Sequence, residues 1–276
     1  MGAAVPIIGQ GTWRISRGDR SGHVLSLRRG IELGLTHIDT AEMYGDGLAE
    51  EAIADAVSGL PRDRLFIVSK VLPQNATYAG TIAACDASLR RLRMDYLDVY
   101  LLHWRGRHPL AETLRAMEDL VDAGKIRALG VSNFDVADLD EARGLLRRHP
   151  IACNQVLYHL SERYLEKELL AYCRQHGIAL VGYSPFGTGA FPGPGTAVGR
   201  VLSAVAARHG KAVTVRQVVL AFLVRQAPLF AIPKAAAREH VEENAGALGL
   251  VLSEGDIRDI DGAFPATFTS GELPMA

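Results

Sequence analysis

Residues 34–47 read G-L-T-H-I-D-T-A-E-M-Y-G-D-G, an apolar run that turns polar within ten residues. Leu35, His37 and Asp39 alternate with Thr36 and Ile38, the period of a strand, which leaves Asp39 as the last residue on one face. Tyr44 follows in the loop, Gly45 and Gly47 break regular structure, and 48–57 then has the spacing of an amphipathic helix. The unit is a strand, a polar turn and a helix. Two later segments end the same way: Phe66, Val68 and Lys70 share a face in L-F-I-V-S-K, and Val99, Leu101 and His103 share one in L-D-V-Y-L-L-H. Each apolar row closes on a titratable group. As parallel neighbours in a closed sheet, these strands would bring Asp39, Lys70 and His103 to one mouth, at the strand ends where barrel enzymes place their chemistry.

The alternation continues on both sides. Residues 5–13, V-P-I-I-G-Q-G-T-W, predict a short strand closed by glycines, and Leu25, Leu27, Ile31 and Leu33 predict a helix that ends at Gly34. Downstream the pattern predicts strand 65–69, helix 80–93, strand 97–102, helix 111–123, strand 126–131, helix 136–147, strand 151–155, helix 166–176 and strand 178–182. A glycine- and proline-rich loop, G-T-G-A-F-P-G-P-G, then precedes helices 197–209 and 214–226, the second opened by a Thr214-x-x-Gln217 capping box. Strand 229–232 and helix 239–248 follow. Eight strands, most followed by a helix and none by a hairpin signal, favour an α/β fold of the (β/α)8 TIM-barrel type, with auxiliary helices, over an open doubly wound sheet. No linker divides the chain, so residues 1–276 are expected to form a single barrel domain. Ser253-x-x-Asp256 predicts a last helix to about 262. The irregular C-terminal tail after it, F-P-A-T-F-T-S-G-E-L-P-M-A, offers Phe264, Phe268 and Met275 either as a cover for the mouth or as a frayed end.

Composition narrows the function. With 276 residues and 48% hydrophobic content the chain can bury a large core. Thirty basic residues against 31 acidic ones, net charge −1, argue against nucleic acid or polyphosphate as partner and for a small substrate. Cys85, Cys153 and Cys173 are odd in number and far apart, with no C-x-x-C, so neither a disulfide framework nor structural zinc is expected. His37 and Asp39 could suggest a metal pair, but His37 should point into the barrel interior and no third ligand has usable spacing, so no metal site is expected. The amino terminus carries no basic flank with an apolar core behind it, and no apolar run approaches the roughly 20 residues of a membrane helix; a cytoplasmic protein without membrane contact is expected.

The motifs D-T-A-E-x-Y at 39–44, S-K at 69–70, L-L-H-W at 101–104, G-V-S-N at 130–133, N-Q at 154–155, Y-S-P at 183–185 and I-P-K at 232–234 occur in fixed order, each at a predicted strand end. In these, and nearly end to end, the chain resembles the aldo-keto reductases, and is most similar to compact bacterial members that reduce small aldehydes and dicarbonyls such as methylglyoxal. The amino-terminal hairpin that usually plugs the barrel bottom in that family is expected to be truncated here. The resemblance implies NADPH-dependent reduction of an aldehyde or ketone to an alcohol, with a catalytic tetrad of Asp39, Tyr44, Lys70 and His103. Chemistry supports each role. Hydride addition to a carbonyl leaves an alkoxide that must take a proton, and a phenol near pKa 10 donates better when a cation such as Lys70 lowers that value. Asp39 would keep Lys70 charged and oriented, and His103 would polarise the carbonyl oxygen beside Tyr44.

The cofactor site follows from the same resemblance. Ser132, Asn133 and Gln155 would hold the nicotinamide carboxamide and Tyr183 would stack on the ring. Ser184, Phe186 (where the family more often has leucine) and Gly187 would close over the pyrophosphate through backbone amides, and Glu243 and Asn244 would contact adenine. Lys234 matches the residue expected at the adenosine 2′-phosphate, whereas His240 stands where many members have an arginine and Ala235 where a hydroxyl is common. NADPH is therefore expected to be favoured with NADH usable. Trp13, Trp104 and Phe134 would line the substrate pocket. Read singly, each residue has a plainer role: a structural ion pair for Lys70 and Asp39, a loop tyrosine, a core-edge histidine, loop caps for Ser132 and Asn133, loop packing for the aromatic residues. Two other functions use the same features. A Schiff-base aldolase would take Lys70 as nucleophile, and a sensor of the same fold would bind the nicotinamide cofactor without turnover.

Overall fold

A computed structural model describes residues 5–187, 189, 191–266 and 273–275. Strand β1 (Gln10–Gly11) leads to helix α1 (Arg20–Glu32), β2 (His37–Asp39) to α2 (Leu48–Ala56), β3 (Phe66–Val71) to α3 (Tyr78–Leu92) and β4 (Leu97–Leu102) to α4 (Leu110–Asp122). The pattern repeats as β5 (Ile126–Ser132), α5 (Val136–Leu145), β6 (Ile151–Leu157), α6 (Leu169–Gln175) and β7 (Ala179–Tyr183). Two helices, α7 (Ala197–Arg208) and α8 (Val215–Leu223), precede β8 (Leu229–Ala231), and α9 (Arg238–Ala245) and α10 (Glu254–Ala263) end the order. The strands lie in sequence order, each parallel to the next. The sheet closes on itself: Gly9 N–H donates to Ala231 O at 2.8 Å, Ala231 N–H to Ile7 O at 2.9 Å and Gly11 N–H to Pro233 O at 3.0 Å. This is the (β/α)8 barrel.

Strand alternation sorts the side chains into two apolar layers. Val68, Val99, Leu101, Cys153, Val181 and Ile232 fill the inside of the barrel. Their sequence neighbours Ile67, Tyr100, Leu102 and Leu180 face the helices in a larger cluster. Phe66 and Phe230 flank His37 inside, with ring centroids 5.4 and 6.4 Å from the imidazole. His37 therefore points inward, as its register required.

The expected strand over 5–13 is regular only at β1, with Ile8 bridging Ala231; Pro6 lacks the N–H a ladder needs. The expected helix over 166–176 starts late, because Tyr164–Glu166 forms a 3-10 turn before α6. The capping boxes at Thr214/Gln217 and Ser253/Asp256 both form, and a third joins Asp135 to Asp138. Of the tail, Phe264 is buried in the outer layer, Met275 reaches the barrel mouth, and Phe268 lies outside the described residues. No helix among the described residues is long and apolar enough to cross a membrane.

Candidate active site

The carboxyl ends of the strands surround a cleft of about 320 Å³. At its base Lys70 Nζ, wholly buried, donates to Asp39 Oδ1 at 2.6 Å and to Thr40 O at 2.7 Å, and reaches the Tyr44 hydroxyl at 3.4 Å. Adjacent strands place this pair: Asp39 ends β2, and Lys70 lies two residues beyond its register partner Val68 on the same face of β3. The other Asp39 oxygen accepts from Gln155 Nε2 at 2.7 Å, and Thr12 Oγ1 donates to the Asp39 carbonyl at 2.9 Å. Tyr44 arrives on the turn after β2. Gly45 there has φ +59°, and a Cβ on it would lie 2.8 Å from Ile15 O, so both conformation and space call for glycine. The Tyr44 and His103 rings meet edge to face at 5.8 Å, and Trp104 flanks His103 at 4.7 Å.

Charge in this group is set by burial and by the Asp39–Lys70 pair. Burial pulls the Lys70 ammonium down, but Asp39 and the Tyr44 oxygen outweigh burial and raise it above its ordinary value. Burial raises the Tyr44 phenol, and Lys70 pulls the other way without cancelling it. The expected lowering of the phenol is thus present as a force and not as the net result: Tyr44 stays protonated. Burial, and then Lys70, drive the His103 imidazole down to about 2, so it is neutral. A neutral imidazole has one N–H to offer, and His103 Nδ1 is buried without a hydrogen-bond partner among the described residues.

Opposite the tetrad the polar groups interlock. Ser132 Oγ donates to Gln155 O at 2.8 Å; Asn133, at φ +61°, donates from Nδ2 to His103 O and to Ser132 Oγ, each at 3.2 Å, and accepts from the Tyr183 hydroxyl at 2.9 Å. Lys234 lies at the cleft's edge, lowered by burial, with Asp19 opposing and Arg14 adding to the shift. It makes no ion pair among the described residues. Gln155, Ser132 and Asn133 line the cleft with amide and hydroxyl groups suited to a planar amide, Tyr183 with a ring, and Lys234 with a cation suited to an anion.

The structure brings Asp39, Tyr44, His103, Trp13, Trp104, Ser132, Asn133, Gln155, Tyr183, Ser184 and Lys234 to the walls of one cleft, with Lys70 directly beneath. Others lie elsewhere. Phe134 does not line it: Asn133 turns the chain through its left-handed conformation, and Phe134 is fully buried in the layer between sheet and helices. Phe186 and Gly187 line a smaller pocket with His159 and Pro192. On α9, Asn244 is buried, and His240 is exposed with Nδ1 3.5 Å from Glu243 Oε2. Sequence reasoning missed Thr12, Met43 and Ile232, which do line the cleft; Thr12, just beyond β1, was findable by the strand-end rule used for Asp39, whereas Met43 lies in the turn beside Tyr44.

A family model described as the aldo/keto reductase family matches residues 7–264, and the chain belongs to that family of oxidoreductases. Among individual relatives, it is 45% identical to methylglyoxal reductase YeaE of Escherichia coli (strain K12), over 99% of this chain and 95% of that one. It is 37% identical to glyoxal reductase of Bacillus subtilis (strain 168), over 94% and 89%. A crystal structure of an aldo-keto reductase from Klebsiella pneumoniae in complex with NADPH superposes with a TM-score of 0.91 at 46% identity, covering 99% of this chain and 96% of that one.

Proposed function

We propose that this chain reduces small aldehydes and ketones, dicarbonyls such as methylglyoxal among them, to alcohols with NADPH. The observation that carries the reading is the buried Asp39–Lys70–Tyr44 chain beside a neutral His103 at the floor of the cleft. The bound cofactor supplies the hydride. The chain supplies the rest: Tyr44 gives its proton to the carbonyl oxygen, Lys70 stabilises the phenolate left behind, Asp39 keeps Lys70 charged and aimed, and His103 donates a hydrogen bond to the same oxygen. Ser132, Asn133 and Gln155 hold the carboxamide, Tyr183 the ring, and Ser184 the pyrophosphate with Phe186 and Gly187 behind it. Lys234 takes the 2′-phosphate, and Trp13 and Trp104 face the substrate; Glu243, Asn244 and His240 serve the adenosine end. The reading takes residues 1–276 as one barrel domain, working in the cytoplasm without a nucleic-acid partner. Balanced charge and three buried free thiols support those last points.

A Schiff-base aldolase needs a neutral lysine, and Asp39 holds Lys70 in the opposite state. Loss of reduced-nicotinamide absorbance with a panel of aldehydes, ketones and dicarbonyls tests the proposal. Covalent trapping of a carbonyl on Lys70 by borohydride, without cofactor oxidation, would replace reduction with the aldolase. Cofactor binding with no turnover on any panel member would leave a sensor.

A further inference from the structure

Two carboxylates outside the tetrad flank the tyrosine turn. Glu42 Oε1 accepts from the Leu72 N–H at 2.7 Å and from Asn75 Nδ2 at 3.0 Å. Glu50, fully buried on α2, accepts from Ser69 Oγ at 2.6 Å with one oxygen and from Arg91 Nε at 2.5 Å with the other. Ser69 and Leu72 stand on either side of Lys70 along the same stretch of chain. Ser69 points to the helix layer because Lys70 points into the barrel. The turn that carries Tyr44 is therefore fastened to the segment that carries Lys70 just before and just after the lysine.

Fastening is needed there, because the backbone ladder gives out. β2 ends at Asp39; Thr40 N–H still reaches Val68 O at 2.9 Å, but the next rung, Glu42 N–H to Lys70 O, is stretched to 3.4 Å. The separation that matters is equally marginal, since Lys70 Nζ to the Tyr44 hydroxyl is also 3.4 Å, where a small displacement ends the hydrogen bond. Arg91 is held close under the turn: a Cβ on Gly47, whose φ is +88°, would lie 2.4 Å from Arg91 Cδ. We propose that Glu42 and Glu50 are positioning residues that set the reach of Lys70 to the Tyr44 hydroxyl. The inference rests on the reading of Tyr44 as proton donor.

The test uses Glu42→Ala and Ser69→Ala, each in the wild-type and the Tyr44→Phe background. Ser69→Ala releases β3 from Glu50 yet keeps the Glu50–Arg91 pair, so it carries the test alone if Glu42→Ala does not fold. Aldehyde turnover, reduced-cofactor affinity by fluorescence and thermal midpoint are measured for each. Each single variant should lose on the order of ten- to a hundredfold in kcat, the range expected for a misplaced catalytic group, with cofactor affinity held within about twofold. Glu42→Gln, whose amide oxygen still accepts both hydrogen bonds, should recover most of the rate. In the Tyr44→Phe background the same changes should cost less than about twofold, because no hydroxyl remains to be positioned. Unchanged kcat in the folded variants, or the same fold-loss in both backgrounds, overturns the proposal and leaves the carboxylates as structural supports. If Tyr44→Phe by itself keeps a third or more of wild-type turnover, the donor reading falls and this inference with it, a result visible in that variant alone.

Discussion

At the scale of single residues, the strongest expectation concerns one oxygen. Tyr44→Phe should lower kcat/KM for carbonyl reduction by on the order of 10²- to 10⁴-fold, the usual share of a positioned acid. Cofactor affinity should be nearly unchanged, because the hydroxyl matters mainly as the alkoxide forms. Steady-state rates beside a fluorescence titration separate the two. Lys70→Met should slow the reaction and also move its alkaline limb to higher pH. The donor must be protonated, so the rate falls as pH rises through the phenol's pKa, which burial raises and Lys70 pulls back; removing the cation leaves burial unopposed. A limb that stays in place would make Lys70 structural. The gathering of Asp39, Lys70 and His103 at one mouth was legible because each closes an apolar row of period two. Phe134 was placed at the pocket by resemblance alone, and a left-handed Asn133 instead turns the chain so that its ring packs between sheet and helices. Glu42 and Glu50 escaped notice because a carboxylate's partners lie on other elements, up to 41 residues away for Glu50 and Arg91.

At the scale of elements, the proposed recognition of the adenosine phosphate falls unequally on the segments around β8 and α9. Lys234, just beyond β8, is at the cleft's edge, whereas His240 on α9 faces Glu243 across 3.5 Å. Arg238 is no better placed, since its guanidinium bonds Glu242 at 2.9 Å. A charged hydrogen bond contributes ~1.5–3 kcal/mol, or on the order of ten- to a hundredfold in affinity. Lys234→Met should therefore reduce the NADPH-to-NADH ratio of kcat/KM by that factor, and His240→Ala should change it by less than about threefold. An equal collapse of the ratio in His240→Ala would show that the imidazole leaves Glu243 to read the phosphate. Helices with cap signals were the easiest elements to read: Thr214-x-x-Gln217 and Ser253-x-x-Asp256 each start a helix at the residue expected. Ends without a cap drifted. The stretch 166–176 has helical apolar spacing throughout, yet its first turn is drawn into a buried network in which Arg163 bonds both Glu166 and Phe264 O, and the regular helix waits until Leu169.

At the scale of the whole barrel, the lower interior contains a histidine that the proposed chemistry does not use. His37 is 2% exposed between Phe66 and Phe230, and Gly9 packs so closely that a Cβ there would lie 2.8 Å from the imidazole Cγ. Burial brings its pKa down to about 4, only partly offset by Asp39. In the unfolded chain the same imidazole takes its proton near 6.5. Between those values the unfolded state binds a proton that the barrel refuses, so this contribution to stability is complete above about 6.5 and is lost as pH falls towards 4. A difference of that size corresponds to about 3 kcal/mol, a large fraction of the stability of an ordinary domain. Denaturant unfolding at pH 7 and pH 4.5 should show a marked loss in the wild type. His37→Leu, which has nothing to protonate, should show a smaller one, whatever its stability at pH 7. An equal loss in both proteins would move the acid sensitivity elsewhere. His103 is one place to look, depressed to about 2 by burial and Lys70. His103→Leu would then flatten the same pH dependence, and acid stability would be set at the mouth of the barrel instead of around His37.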